Sequence, residues 1–160
     1  MIFLTEDIKI MAEYNSEKRM AGGAQSMMWC KFLTHGFLIA LPIICAVLGI
    51  AYMIGYFRAE NVDSLIRALD VFYGLGLLGI AALGFIARGA LFWDKKTGPK
   101  NLITFFSLLV GATIVHSLAI FALTNAMFNL MVVILFVIGG PVLIAFNAVY
   151  FKNRKSIFKY

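Results

Sequence analysis

Residues 69–93 read LDVFYGLGLLGIAALGFIARGALFW, and the length and apolar character of this run indicate the fold class. Its only charges are Asp70 and Arg88, near opposite ends. At about 1.5 Å per residue, a helix of this length exceeds the roughly 20 residues that cross a hydrocarbon core. The stretch therefore predicts a transmembrane helix.

The composition extends this interpretation to the whole chain. Of its 160 residues, 62% are hydrophobic and 14% are charged, against about 45–50% and 25% in an ordinary soluble domain. A soluble fold of this size cannot bury so much apolar surface, whereas lipid solvates it. We therefore expect an all-α integral membrane protein. Its net charge of +6 indicates topology and contact with anionic lipid head groups rather than nucleic-acid binding.

Three further apolar runs complete a predicted four-transmembrane-helix bundle. The spans are expected at about 33–57, 69–93, 102–123 and 130–151, in a membrane domain of residues 32–151. A polar tail of residues 1–31, with a weak helix at residues 7–19, precedes this domain, and a basic tail of residues 152–160 follows it. Asp63 or Ser64 is expected to cap the second span, and Gly98 with Pro99 to start the third.

The distribution of basic residues predicts the orientation. Positive charges mark the cytoplasmic side of a membrane protein. Twelve of them fall on the side of the two termini and the turn after the second span: Lys9, Lys18, Arg19, Lys31, Arg88, Lys95, Lys96, Lys100, Lys152, Arg154, Lys155 and Lys159. Only Arg58 and Arg67 fall on the other side. Both termini are therefore expected in the cytoplasm.

Small residues predict where the helices pack closely. Gly74, Gly76 and Gly79 spell GxGxxG, but a dinucleotide fingerprint requires a strand-to-helix turn, and this copy lies inside an apolar helix. Such residues instead let a neighbouring helix approach. The expected packing positions are Gly76, Gly79, Gly84, Ala51 and Gly55.

Prolines inside two spans predict kinks. Pro42 lies within the first span, and Gly140 with Pro141 lies near the middle of the fourth. A proline removes one helical hydrogen bond and crowds the carbonyl four residues earlier. A kink can act as a hinge, although packing is the commoner role.

Few polar side chains lie inside the predicted spans. His116, Thr113 and Ser117 form a candidate intramembrane polar site. Arg88 either belongs to this site or extends its side chain away from it, to the lipid head groups. His116 either relays protons or contacts a substrate, or its side chain forms a hydrogen bond that holds the bundle together. Asp70 is expected at the outer membrane edge, in a local pair with Arg67. Transport has little support, because no acidic residue is expected at mid-depth.

The sequence predicts no cofactor and no metal. His35 and His116 invite a haem hypothesis, but helical rise separates them by roughly 20 Å in depth, whereas one haem needs both ligands at one level. The sequence contains no HExxH motif, nucleophile elbow or acidic cluster. Cys30 and Cys45 are expected roughly 22 Å apart along one helix, and therefore as free thiols.

Four short stretches carry a resemblance. They are KFL at residues 31–33, LDV with Tyr73 and Gly74 at residues 69–74, KKTGPK at residues 95–100, and YFKNRK with Phe158 near the C-terminus. Over residues 28–160, the chain resembles a group of uncharacterised small four-span membrane proteins of Gram-positive anaerobic bacteria. The resemblance implies a multi-pass cell-membrane protein of bacteria and assigns a role to no residue.

Two functions are compatible with these features. The first is a non-enzymatic structural or accessory membrane component that assembles with itself or with a membrane-protein partner through small-residue faces. The alternative is a minimal oligomeric transporter or channel-like protein with a polar path near His116.

Overall fold

The structure is a computed structural model that describes residues 28–55, 57, 63–154 and 158. Residues 1–27 of the predicted tail, with the helix expected at residues 7–19, lie outside the described residues, as do most of the loop after the first span and the basic residues Lys155 and Lys159. The last four residues of the predicted tail, 28–31, are helical. The helices are α1 (Met28–Phe32), a π-helical turn (Leu33–Phe37), α2 (Leu38–Met53), α3 (Ser64–Phe92), α4 (Gly98–Thr124) and α5 (Met127–Lys152).

Within the described residues, four helical segments are long and apolar enough to cross a membrane, as predicted. The first is the continuous segment Met28–Met53, and the others are α3, α4 and α5. Each begins three to five residues earlier than the apolar run suggests. Asp63 accepts a hydrogen bond from the backbone N–H of Leu65 at 3.0 Å, and Pro99 lies in the first turn of α4. Both predicted start signals are thus confirmed.

Gly55 ends the first span earlier than predicted. Its φ of +71° is a left-handed conformation, which glycine adopts without steric cost, and its N–H donates to the carbonyl of Tyr52 at 3.1 Å. The helix therefore stops at Met53 rather than near residue 57. Gly55 lies beyond this end and forms no helical packing pair with Ala51, which is half-buried on α2.

Helices that are consecutive in the chain pack against one another: α2 on α3, α3 on α4, and α4 on α5. Close contacts run in opposite order along α2 and α3, with Gly49 beside Gly74 and Pro42 beside Gly84. These helices are therefore antiparallel. Only Asn125 and Ala126 separate α4 from α5, and so short a link reverses the chain direction.

The apolar core lies toward the end of the bundle that carries the turn between α3 and α4. Its fully buried members come from several segments: Leu33, Leu38, Leu91, Leu102, Phe105 and Phe106. At the same end, the indole N–H of Trp29 donates to the side-chain oxygen of Asn147 at 3.1 Å, which joins the first span to the last. The opposite end holds a different kind of interior, which is polar.

The two proline-containing segments remain helical through the prolines. Pro42 is buried within α2, and the irregular turn Leu33–Phe37 lies just before α2. Gly140 and Pro141 lie within the continuous helix α5. An added Cβ on Gly140 would lie 2.6 Å from a methyl group of Val110 on α4. Gly140 is therefore a point of close contact between α4 and α5.

Candidate functional site

A buried acid–base pair joins α3 to α4. The imidazole Nε2 of His116 and the carboxyl Oδ1 of Asp70 share a hydrogen bond of 2.9 Å. Asp70 is 2% exposed and His116 is 8% exposed. By helical rise, Asp70 lies about 9 Å from the start of α3, and His116 lies about 12 Å from the end of α4. The antiparallel packing thus places the two residues at one level within the apolar spans.

The sequence predicts a local pair of Asp70 with Arg67 near the membrane edge, but it does not predict the contact of Asp70 with His116 on the next helix. A hydropathy pattern assigns a charge near the end of an apolar run to the edge. Helical spacing carries a different signal, since Asp70, Gly74, Leu77 and Gly84 recur at intervals of three, four and seven residues, and all four are buried. Asp70 therefore belongs to the face of α3 that packs inside the bundle.

Aromatic rings enclose the imidazole of His116. The ring of Tyr73 stacks on it with centroids 4.0 Å apart and planes 8° from parallel. Tyr52, on α2, is edge-on to both rings, with centroid distances of 5.2 Å to His116 and 5.0 Å to Tyr73. The cluster therefore draws on three of the four spans. Sequence analysis selected neither tyrosine as a site residue.

Thr113 anchors the hydroxyl of Tyr73. The Thr113 hydroxyl donates to the carbonyl of Leu109 at 2.8 Å, and its oxygen lies 3.1 Å from the Tyr73 hydroxyl oxygen. Because the single proton of Thr113 is directed to Leu109, Tyr73 is the donor to Thr113. We call Asp70, His116, Tyr73, Tyr52 and Thr113 the polar cluster. Ser117, the remaining predicted neighbour of His116, is buried on the same helix.

The pair has chemistry that other interior contacts in the described chain lack. An imidazolium with a carboxylate, or an imidazole with a carboxylic acid, carries no net charge. Such neutral states are favoured in lipid, where an isolated charge is costly. The pair of Asp70 and His116 thus holds α3 to α4.

Arg88 does not belong to the polar cluster. It lies 18 residues after Asp70 on α3, about 27 Å away by helical rise. Its Nε donates to the backbone carbonyl of Thr34 at 2.9 Å. The predicted four-residue site thus divides, with Thr113, His116 and Ser117 at one end of the bundle and Arg88 near the other.

The π-helical turn explains why the carbonyl of Thr34 is available to Arg88. In an α-helix the N–H of Leu38 would bond to Thr34, four residues earlier. Here it donates to Leu33 and Gly36 instead. A π-helical turn shifts the backbone register by one residue and commonly marks a functional position. Arg88 donates to the Thr34 carbonyl that this shift leaves without its helical donor, so the first span holds the Arg88 side chain in place.

An open groove lies beside the polar cluster, between α3 and α4. It has a volume of about 670 Å³, and both Tyr73 and His116 reach it. Much of its wall consists of small residues: Gly76, Gly79, Gly111, Ala112 and Ala119. We call this the α3–α4 groove.

The predicted packing glycines divide between this groove and the helix contacts. An added Cβ on Gly84 would lie 2.6 Å from Pro42 and 2.8 Å from Phe105, so Gly84 packs as expected. Added Cβ atoms on Gly76 and Gly79 would meet nothing within 4 Å. Gly76 and Gly79 therefore form no close contact within the described part of the chain and border the α3–α4 groove instead.

The remaining candidate ligands lie apart. His35 is exposed, and its Nδ1 lies 3.1 Å from the carbonyl of Lys31. Cys30 and Cys45 are buried free thiols, as predicted. Across residues 28–55, 63–154 and the other described positions, no group of three or more His, Cys, Asp or Glu residues could hold a metal ion.

No family model, curated protein or solved structure matches this chain. The fold and the polar cluster define the class. The described part of the chain is helical, with four helices long and apolar enough to cross a membrane and a buried Asp–His pair between the second and third.

Proposed function

We propose that this protein is a non-enzymatic accessory component of the cell membrane that assembles with a second copy of itself through the α3–α4 groove. The observation that carries the proposal is the open space beside Gly76, Gly79 and Gly111, where an added Cβ would meet nothing within 4 Å. In lipid, a surface of small residues allows another helix to approach closely and gain van der Waals contact.

A ridge on α5 supports a second copy as the occupant. Large apolar side chains repeat along α5 at spacings of three and four residues and are 66–75% exposed: Phe128, Met131, Leu135, Ile138 and Val142. We call these residues the α5 ridge. Ridges of large side chains fit grooves between helices, and the α3–α4 groove offers such a surface.

The groove and the ridge also agree in depth. The link of Asn125 and Ala126 joins α4 to α5. Residues at equal distances from this link on the two helices therefore lie at similar depths. The groove residues of α4 extend from Ala119 to Ser107, and the α5 ridge extends from Phe128 to Val142. By helical rise, the two ranges overlap between about 10 and 25 Å from the link. A second copy in the same membrane orientation therefore presents its ridge at the level of the groove.

The mass of the protein in lipid nanodiscs tests this assembly. We expect more than one copy per particle for the wild type and a single copy for Gly76→Leu, which fills the groove. Gly89→Leu is the matched control, because an added Cβ at Gly89 also meets nothing within 4 Å but Gly89 does not line the groove. A single copy of the wild type, or a complex with a different protein, would contradict self-assembly.

We further propose that both termini lie in the cytoplasm of a bacterial cell. The antiparallel helices bring Met28, the turn before Gly98 and Lys152 to one end of the bundle, and most of the basic residues flank these positions. Single cysteines introduced at Lys95 and at Ser64 test the orientation. In intact cells a membrane-impermeant maleimide should label Ser64→Cys alone, and labelling of Lys95→Cys alone would contradict the proposal.

The polar cluster favours a second candidate, a minimal oligomeric transporter with a polar path beside His116. The supporting observation is that His116 contacts Asp70 and also lines the α3–α4 groove. Ionisable residues inside spans often mark such paths. Proton or solute flux into proteoliposomes that is lost in His116→Gln would favour transport, and unaltered flux in that variant would exclude His116 from the path.

A further inference from the structure

A second cleft lies at the other end of the bundle, between the first turns of α4 and the last turns of α5. Its volume is about 680 Å³. Three lysines line it: Lys96 from the preceding turn, Lys100 from α4 and Lys152 at the end of α5. Among the described residues that line this cleft, none is acidic. The positive charge at its rim is therefore not neutralised by the cleft's own lining.

The rest of the lining is almost entirely apolar. It consists of Pro99, Ile103, Ala148, Phe151 and Phe158, together with Thr104. The Thr104 hydroxyl already donates to the carbonyl of Lys100 at 3.0 Å. The cleft thus combines a cationic rim with an apolar floor, and the floor is too extensive for a fully polar ligand.

We propose that this cleft binds one anionic phospholipid, with its phosphate among Lys96, Lys100 and Lys152 and one acyl chain along Ile103 and Ala148. Basic pockets between transmembrane helices recognise lipid head groups in this way. The start of α4 adds the partial positive charge of a helix N-terminus, which also favours a phosphate. The site rests on the proposed membrane location but not on self-assembly.

A lipid explains the cleft better than a free phosphate does. A free phosphate would use the lysines and leave the apolar floor without a partner. The lysines stand at helix ends, where their long side chains reach the head-group layer while the apolar floor continues into the hydrocarbon region. Both halves of the cleft are satisfied only by an anionic head group covalently attached to a hydrocarbon chain.

The experiment is a lipid titration of the purified full-length protein in detergent, read by native mass spectrometry. Phosphatidylglycerol and phosphatidylcholine with identical acyl chains are the probes. Since each lysine near a lipid surface adds to the attraction for an anionic head group, we expect phosphatidylglycerol to bind at least roughly tenfold more tightly. Equal affinities for the two lipids would overturn the proposal without the use of any variant.

Paired substitutions locate the site. Lys100→Gln with Lys152→Gln removes two charges from the cleft and should weaken phosphatidylglycerol binding roughly tenfold or more. Lys31→Gln with Lys95→Gln removes two exposed charges outside the cleft and should leave the affinity within about threefold. Equal losses in the two double variants would show that net charge alone attracts the lipid, which would overturn the site.

Two further arms test the occupant. Ala148→Phe keeps all three lysines but fills the floor, and it should weaken binding of phosphatidylglycerol. An excess of inorganic phosphate should not displace the lipid, and displacement would identify free phosphate as the ligand. A protein rather than a lipid found in the cleft by cross-linking from Lys100 would also overturn the proposal. Selective lipid binding by a protein that stays a single copy would refute the self-assembly proposal and leave this one intact.

Discussion

Gly74 and Gly49 bring α3 and α2 into backbone contact. An ideal Cβ built on Gly74 would lie 2.5 Å from the carbonyl oxygen of Gly49, and one built on Gly49 would lie 2.8 Å from the carbonyl oxygen of Gly74. The contact is thus reciprocal, and backbone atoms cannot move aside as a flexible side chain can. The contact fixes the distance between the first two spans next to Tyr73, a member of the polar cluster.

Gly74→Ala should destabilise the bundle by about 1–3 kcal/mol, because the added methyl group forces α2 and α3 apart. Gly76→Ala, two residues further along the same helix, is the matched control, since an added Cβ there meets nothing within 4 Å. The control should be neutral or more stable by up to about 1 kcal/mol through helix propensity. Unfolding free energies in mixed detergent–dodecyl sulfate micelles measure both. Equal effects would show that the close approach is not needed.

The pair between Asp70 and His116 predicts non-additive stability changes. His116→Leu deprives a buried carboxylate of this partner and should cost roughly 2–4 kcal/mol. Asp70→Leu combined with His116→Leu should cost less than His116→Leu alone, because no charge is then left behind. The same unfolding assay provides the cycle.

Leu118→Met is the control for this cycle, because Leu118 lies two residues after His116 on α4, is 44% exposed and does not line the α3–α4 groove. It should change stability by less than about 0.5 kcal/mol. A double variant whose cost equals the sum of the two single costs would show that the two side chains are not coupled.

Arg88 predicts a stability effect at the opposite end of the bundle. Arg88→Met keeps much of the apolar length of the side chain and removes the donor to the Thr34 carbonyl. Because Arg88 is partly exposed, we expect a loss of only about 1 kcal/mol. Lys95→Met, at an exposed position in the next turn, should have no measurable effect. A neutral Arg88→Met would indicate that the guanidinium contributes nothing beyond interfacial anchoring.

The number and order of the spans were predictable from the sequence, because apolar length acts locally, whereas each span begins three to five residues before its apolar run. Asp63 caps α3 and Pro99 starts α4 regardless of what surrounds them. The short link before Met127 is equally local. These features depend on hydropathy and backbone chemistry, and both are determined by consecutive residues.

The partners of the interior residues were less predictable, because packing selects among similar candidates. Gly74, Gly76 and Gly79 are alike in sequence, yet only Gly74 contacts α2, while the other two border the α3–α4 groove. The contact between Asp70 and His116 was not predicted, because hydropathy along one helix does not indicate which neighbouring helix a polar side chain faces. The π-helical turn at Leu33–Phe37 carries no sequence signal that we recognise, and without it the contact between Arg88 and Thr34 cannot be inferred.

Cross-linking between two copies is the direct test of assembly through the α3–α4 groove and the α5 ridge. Differently tagged copies would carry Gly76→Cys and Ile138→Cys, with Cys30 and Cys45 replaced by alanine. Both introduced thiols lie about 17 Å along their helices from the same end of the bundle. Leu75→Cys is the control, since Leu75 lies at the same depth, is 49% exposed and does not line the groove.

We predict that oxidation in native membranes joins Gly76→Cys to Ile138→Cys and does not join Leu75→Cys to Ile138→Cys. A disulfide that forms with neither position, or equally with both, would contradict assembly through the groove.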